Sequence, residues 1–173
     1  FRHPRSNARC RLDWAVPNDK MPDAQRLMER AVNDGTKIFI IQSADEWSEF
    51  IAVNSKAVFK DKFFVGTNWL GGVMFNKPHD IFKELPVGNA LNWPYQALIH
   101  TGVERMGLVM EGEELLVGAY HTYPMAIGTA MGIVPMGKGS VLFSTLDIYG
   151  NIINDSAAGL VAKKLIFNMI DFK

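Results

Sequence analysis

Apolar positions in the first third of the chain fall at helical spacing. Ala24, Leu27, Met28, Ala31 and Val32 stand at i, i+3, i+4, i+7 and i+8, which predicts an amphipathic helix over residues 22–34. Pro22 suits its first turn, and Gly35 supplies the left-handed residue that ends many helices. Lys37-Ile-Phe-Ile-Ile-Gln42 follows as a nearly continuous apolar run, the pattern of a strand buried on both faces in a parallel sheet. Ser43 and Glu46 then have the spacing of a capping box, opening a helix to about residue 53 with Trp47, Phe50 and Ile51 on one side. Helix, strand, cap and helix in succession predict an α/β architecture.

Beyond residue 57 the pattern changes. Ala57-Val-Phe59 and Phe63-Phe-Val65 are short apolar bursts, whereas residues 66–72 and 77–80 read as loops and 81–86 as a single helical turn. After Trp93-Pro94 the chain reads as a meander. Residues 107–110 and 115–120 flank the polar turn 111–114, and 129–135 and 140–145 flank Met136-Gly-Lys-Gly139, so two hairpins are expected. A last helix over residues 156–170 carries Leu160, Val161, Lys164, Leu165, Phe167, Asn168 and Met169 on a broad, mainly apolar side.

Composition narrows the function classes. With 48% apolar and 21% charged residues in 173, the chain has the make-up of a globular domain. Eighteen basic against eighteen acidic residues leave no net charge, which argues against a general nucleic-acid binder. No apolar run approaches the ~18 residues of a membrane span. Cys10 is the only cysteine, which excludes a disulfide framework. Residues 1–21 hold Arg2, Arg5, Arg9 and Arg11 and read as an irregular basic arm or linker, with residues 22–173 as a single α/β domain. No initiator methionine and no apolar signal core open the chain, so it reads as part of a longer polypeptide.

The motifs that could carry chemistry are incomplete. Gly132-Ile-Val-Pro-Met-Gly-Lys-Gly139 approaches a phosphate-binding loop, but Gly139 stands where a Ser or Thr is required and a strand follows instead of a helix. It reads as a hairpin turn. No Gly-x-Ser-x-Gly elbow occurs, the histidines at 3, 79, 100 and 121 lack metal-site spacing, and Glu111, Glu113 and Glu114 crowd one turn without facing each other. Neither a catalytic residue, a metal site nor a cofactor is assigned. Aromatic and polar loop residues remain: Trp69, Trp93, Tyr95, His121 and Tyr123 are the candidates for carbohydrate binding, with interdomain contact or core as the competing role.

Three segments carry a family resemblance. Residues 27–41, with helix, Gly35 and strand, look like the unit of class I glutamine-amidotransferase-like domains, and Lys77-Pro-His-Asp80 through Pro86 is similar to a loop found later in them. Residues 93–168, including Gly137-Lys-Gly-Ser-Val-Leu-Phe-Ser-Thr-Leu-Asp147, resemble the carboxy-terminal region of bacterial β-galactosidase-like proteins of glycoside hydrolase family 2. The resemblance implies a three-layer, flavodoxin- or amidotransferase-like mixed sheet with an antiparallel carboxy-terminal portion, abbreviated at its amino terminus. It implies a non-catalytic accessory domain that packs against the catalytic domain of the same polypeptide or a neighbouring subunit, helps it oligomerise, or shapes the sugar site, in a periplasmic or extracellular setting. The amidotransferase cysteine motif is missing, and no eightfold pattern houses the glycosidase acids, so no catalytic residue carries over. A carbohydrate-binding module, or a small-molecule α/β enzyme with its site at the carboxyl ends of parallel strands, are the alternatives.

Overall fold

The computed structural model describes residues 21–65, 72–88, 90–91, 93–100, 106–122 and 125–172. Trp69 and Tyr123, with the arm at 1–20, lie outside them. The chain forms a mixed α/β structure, a seven-stranded mixed sheet with five α-helices among the described residues. Helix α1 spans Met21–Asp34 and buries Ala24, Met28 and Ala31 of the stripe its periodicity predicts, whereas Leu27 and Val32 of that stripe are exposed. Gly35, at φ 75°, turns the chain into β1, Lys37–Ile40. Helix α2, Ala44–Val53, lies beside α1 and buries Phe50 and Ile51.

The remaining strands are β2 (Val58–Phe64), β3 (Gly72–Asn76), β4 (Met106–Glu111), β5 (Glu114–His121), β6 (Ala126–Met136) and β7 (Gly139–Ser144). Strand β6 is the hub. One of its edges pairs with β5 from Ala126 to Ile133; the other pairs with β7 from Met131 to Met136 and with β4 at Thr129. Strand β1 runs parallel to β7, and every other ladder among the described residues is antiparallel. The parallel pairing expected for β1 is present, but the expected burial on both faces is not. It is a four-residue edge strand in which only Ile40 is fully buried.

The second expected hairpin forms, with β6 and β7 joined by Gly137 and Lys138. The first does not. Strands β4 and β5 are joined by a tight turn with Gly112 at φ 89°, yet β4 pairs with β2 and β6 while β5 pairs with β3 and β6. They straddle β6, since Leu108 and Gly118 both stand in register with Thr129. Strand β3 carries no clear period-2 signal and is found only in the structure. Its Phe75 ring fills the space above its register partner Gly118, as Phe63 of β2 does above Gly107. Strand β2 is an edge whose Lys60, Asp61 and Lys62, beside a register shift, oppose pairing with another chain.

Side chains alternate between the two faces. Val141 and Phe143 of β7 join α1 and α2 in one core, and Leu142 joins the helices of the opposite face in the other. That opposite layer holds α3 (Gln96–His100), α4 (Ile148–Ile152), α5 (Ala157–Asp171) and the 3-10 turns Asp80–Phe82 and Trp93–Tyr95. Ser156 caps α5 by accepting from the Gly159 amide at 3.2 Å. Of the apolar side expected for α5, Val161, Leu165 and Met169 are buried, but Leu160 and Phe167 are 66% and 65% exposed. No helix among the described residues is long and apolar enough to cross a membrane.

Candidate functional site

The sheet opens a cleft where its hub strand changes partners. Strand β7 leaves the edge of β6 after Ser144, and β4 takes the same edge from Met106 onward. Thr145 rivets this fork: its amide donates to the Ala130 carbonyl at 2.8 Å and its hydroxyl to the Met106 carbonyl at 2.8 Å. The carboxyl ends of the parallel pair β1 and β7 therefore cannot close on a neighbour. They frame a cavity of about 360 Å³, lined by residues 41–46 on one side and by Met106 and 144–147 on the other. Ligand sites in open α/β sheets fall at such carboxyl ends. Thr145→Val keeps the shape but removes the hydroxyl bridge. We expect a loss of about 1–2 kcal/mol in urea denaturation; an unchanged midpoint would refute the rivet.

Ser43 is the residue of this cleft with an unusual backbone. It ends the β1–α2 turn at φ 52° and ψ 37°, a left-handed conformation that costs a non-glycine residue about 1–2 kcal/mol. The capping box expected here does not form. Ser43 occupies the cap position and its carbonyl accepts from Glu46 and Trp47, but its side chain makes no capping hydrogen bond, because the left-handed backbone aims it away from the helix. Its hydroxyl is exposed.

The charges around it are mostly committed. Asp45 forms a 2.7 Å ion pair with Lys62 of β2. Asp147 caps α4 by accepting from the Gly150 amide at 3.0 Å, and its own amide donates to the Leu98 carbonyl at 3.0 Å. Ser144 is 1% exposed and accepts from the Leu146 amide at 3.2 Å. Among the described residues that line the cavity there is no cysteine, histidine, lysine or arginine. The ionisable groups among the described lining residues are the carboxylates Asp45, Glu46 and Asp147, and a carboxylate is a weak base for a serine hydroxyl. The geometry suits binding by hydroxyls, an amide and carboxylates. Among the described residues, no group of three or more His, Cys, Asp and Glu is placed to hold a metal ion.

Among the described residues, Tyr95 is not part of this cleft. Tyr95 is 1% exposed and packs edge-on against Phe82 in the core. Neither face of its ring is open to a sugar. Its hydroxyl donates to the Pro86 carbonyl at 2.7 Å and accepts from Asn76 at 3.3 Å, tying the 77–86 loop to the core. Trp93 begins the same 3-10 turn, and His121 ends β5 opposite Gly72 and Ala126. His79, a further polar candidate of its loop, is used structurally: its Nδ1 accepts from the Ile81 amide at 3.2 Å and its ring lies 5.0 Å from that of Phe172.

Burial pushes the Tyr95 phenol up to about 12 from 10.0. The neutral form is therefore favoured in the folded state. Its stabilisation is complete below pH 10 and is lost as pH rises towards 12, by about 2–3 kcal/mol in all. Denaturation curves across that window should show the slope in the wild type and its absence in Tyr95→Phe. A matching slope in both proteins would refute the assignment.

The cleft residues were not singled out by sequence. Ser43 reads as a helix cap and Ser144-Thr-Leu-Asp147 as a strand end; only the parallel pairing of β1 with β7, across some hundred residues, makes them neighbours. Fold and cleft together define an α/β protein with a polar site at the carboxyl ends of two parallel strands. Comparison with family models, curated proteins and solved structures finds no match.

Proposed function

We propose that this chain is a non-catalytic accessory domain of a β-galactosidase-like glycoside hydrolase of family 2. In this reading its fold is an abbreviated, flavodoxin- or amidotransferase-like one. The carrying observation is the β1–turn–α2 unit. It presents serine rather than cysteine at the carboxyl end of a parallel strand, in a cleft with no histidine among its described lining residues. In this reading, an amidotransferase-like layout is combined with residues that do not support its chemistry. Helix α5 favours a packing role. Leu160, Phe167 and Ile170 stand exposed at i, i+7 and i+10, an outward apolar stripe suited to the catalytic domain of the same polypeptide or a neighbouring subunit.

The test is turnover by the isolated 173-residue chain. Chromogenic β-glycosides and glutamine should both remain unhydrolysed, and a fluorophosphonate probe should leave Ser43 unlabelled. Robust turnover of either substrate, or stoichiometric labelling at Ser43, would overturn the non-catalytic reading.

A further inference from the structure

The 3-10 turn Asp80–Phe82 is capped by His79, and the cap uses the imidazole in one protonation state. Its Nδ1 accepts from the Ile81 amide at 3.2 Å, which a ring nitrogen does only without a proton of its own. The same ring lies 5.0 Å from that of Phe172, at an interplanar angle of 52°. Phe172 is also held by Lys37 of β1, whose Nζ stands 4.5 Å from the ring centroid and donates to the Phe172 carbonyl at 2.7 Å. One imidazole thus serves both the turn and the docking of Phe172. Its side chain is 14% exposed, so solvent protons reach it.

Histidine is the side chain that ordinarily changes charge between about pH 5 and 8. A proton on Nδ1 would meet the Ile81 N–H donor to donor, so the charged ring must turn out of the cap. The surrounding charges are mixed. Glu114 of β5 attracts the charged ring from 3.9 Å, but the same oxygen is already 3.6 Å from Lys77 Nζ, and Lys37 adds a second cation beside Phe172. Asp80 follows His79 in the turn, and Asp171 precedes Phe172 at the end of α5. The far end of the turn is anchored separately, since Asn168 of α5 donates to the Ile81 and Lys83 carbonyls. Opening at His79 is therefore local. We propose that His79 is an acid-sensitive latch. On taking a proton from solvent it releases the Ile81 amide and swings off Phe172, while Lys37 and Asn168 keep their bonds. The latch needs only these contacts and does not rest on the parent enzyme's identity.

NMR of the ¹⁵N-labelled full chain between pH 8 and pH 5 tests it. At pH 8 the imidazole nitrogens of His79 should show the proton on Nε2 and none on Nδ1. As His79 takes up its second proton, the exchange protection of the Ile81 amide should fall by about 10-fold, the equivalent of one hydrogen bond. The Phe172 signals should shift with the same midpoint. His79→Asn keeps a side-chain acceptor at the cap but does not titrate, so protection of Ile81 should then stay level across the range. The proposal is overturned if the pH 8 proton sits on Nδ1 or if His79 stays neutral down to pH 5. It is equally overturned if Ile81 and Phe172 ignore the titration, or if His79→Asn shows the same loss as the wild type.

Discussion

Replacing Gly139 by alanine is expected to cost about 3 kcal/mol, near the top of the range for overpacking a well-filled site. Gly139 opens β7 directly above the end of α1. A Cβ there would collide with the Thr36 carbonyl oxygen and lie 2.8 Å from that of Ala31. Both obstacles are main chain and cannot rotate away. The turn is also bound to the helix, since the Lys138 amide donates to the Val32 carbonyl at 3.0 Å. Relief would require α1 to lift from β7 and expose Met28 and Ala31. Lys138→Ala is the matched control, because that side chain is exposed, and should change stability by no more than ~0.5 kcal/mol. Urea denaturation of the three proteins decides the matter. A phosphate-binding loop would make the lysine the critical residue; a hairpin turn wedged on a helix makes it the glycine.

Asn168→Leu should cost about 2–4 kcal/mol although it preserves volume. The Asn168 amide, buried on α5, donates to the Ile81 carbonyl at 2.8 Å and the Lys83 carbonyl at 2.9 Å. Leucine strands both acceptors, and the penalty for a buried polar group left unpaired is ~1–3 kcal/mol each, partly relieved if the loop opens to water. The adjacent Lys164–Glu84 pair at 2.6 Å holds the Glu84 carboxyl below the usual carboxylate range, but it is exposed. Lys164→Ala should therefore lower stability far less than Asn168→Leu does. Hydrogen exchange adds a spatial readout: Asn168→Leu should release amides between residues 77 and 88 first. Equal effects of the two substitutions would show that the buried amide has no special role in holding this loop.

How far the sequence reaches can be judged from particular elements. Helix α1 and the β6–β7 hairpin were legible because their signals are local: a 3.6-residue apolar period, and a glycine turn between two apolar runs. The same kind of signal misleads at residues 107–120. A glycine turn joins two strands there too, but their partners are chosen by β6, which admits one on each edge. Helix α5 illustrates a second limit. Its broad apolar side includes Asn168, which is indeed buried, but it also includes Leu160 and Phe167, and nothing local says that these two face outward. Tyr95 is the reverse case: an aromatic beside a Trp-Pro turn looks available for stacking until packing buries it against Phe82.

The sequence by itself determined helices α1, α2 and α5, strand β1 and the β6–β7 hairpin, together with the mixed α/β class and the incompleteness of every familiar catalytic motif. Each of these depends on residues close together along the chain. The cleft was decided by the tertiary structure alone. Ser43 and Ser144 share a cavity because β1 and β7 pair in parallel across about a hundred residues, and because β6 trades β7 for β4 beside Thr145. Sheet pairing, unlike helical periodicity, is a choice among distant partners, and the left-handed turn at Ser43 follows from the path that choice imposes on the chain.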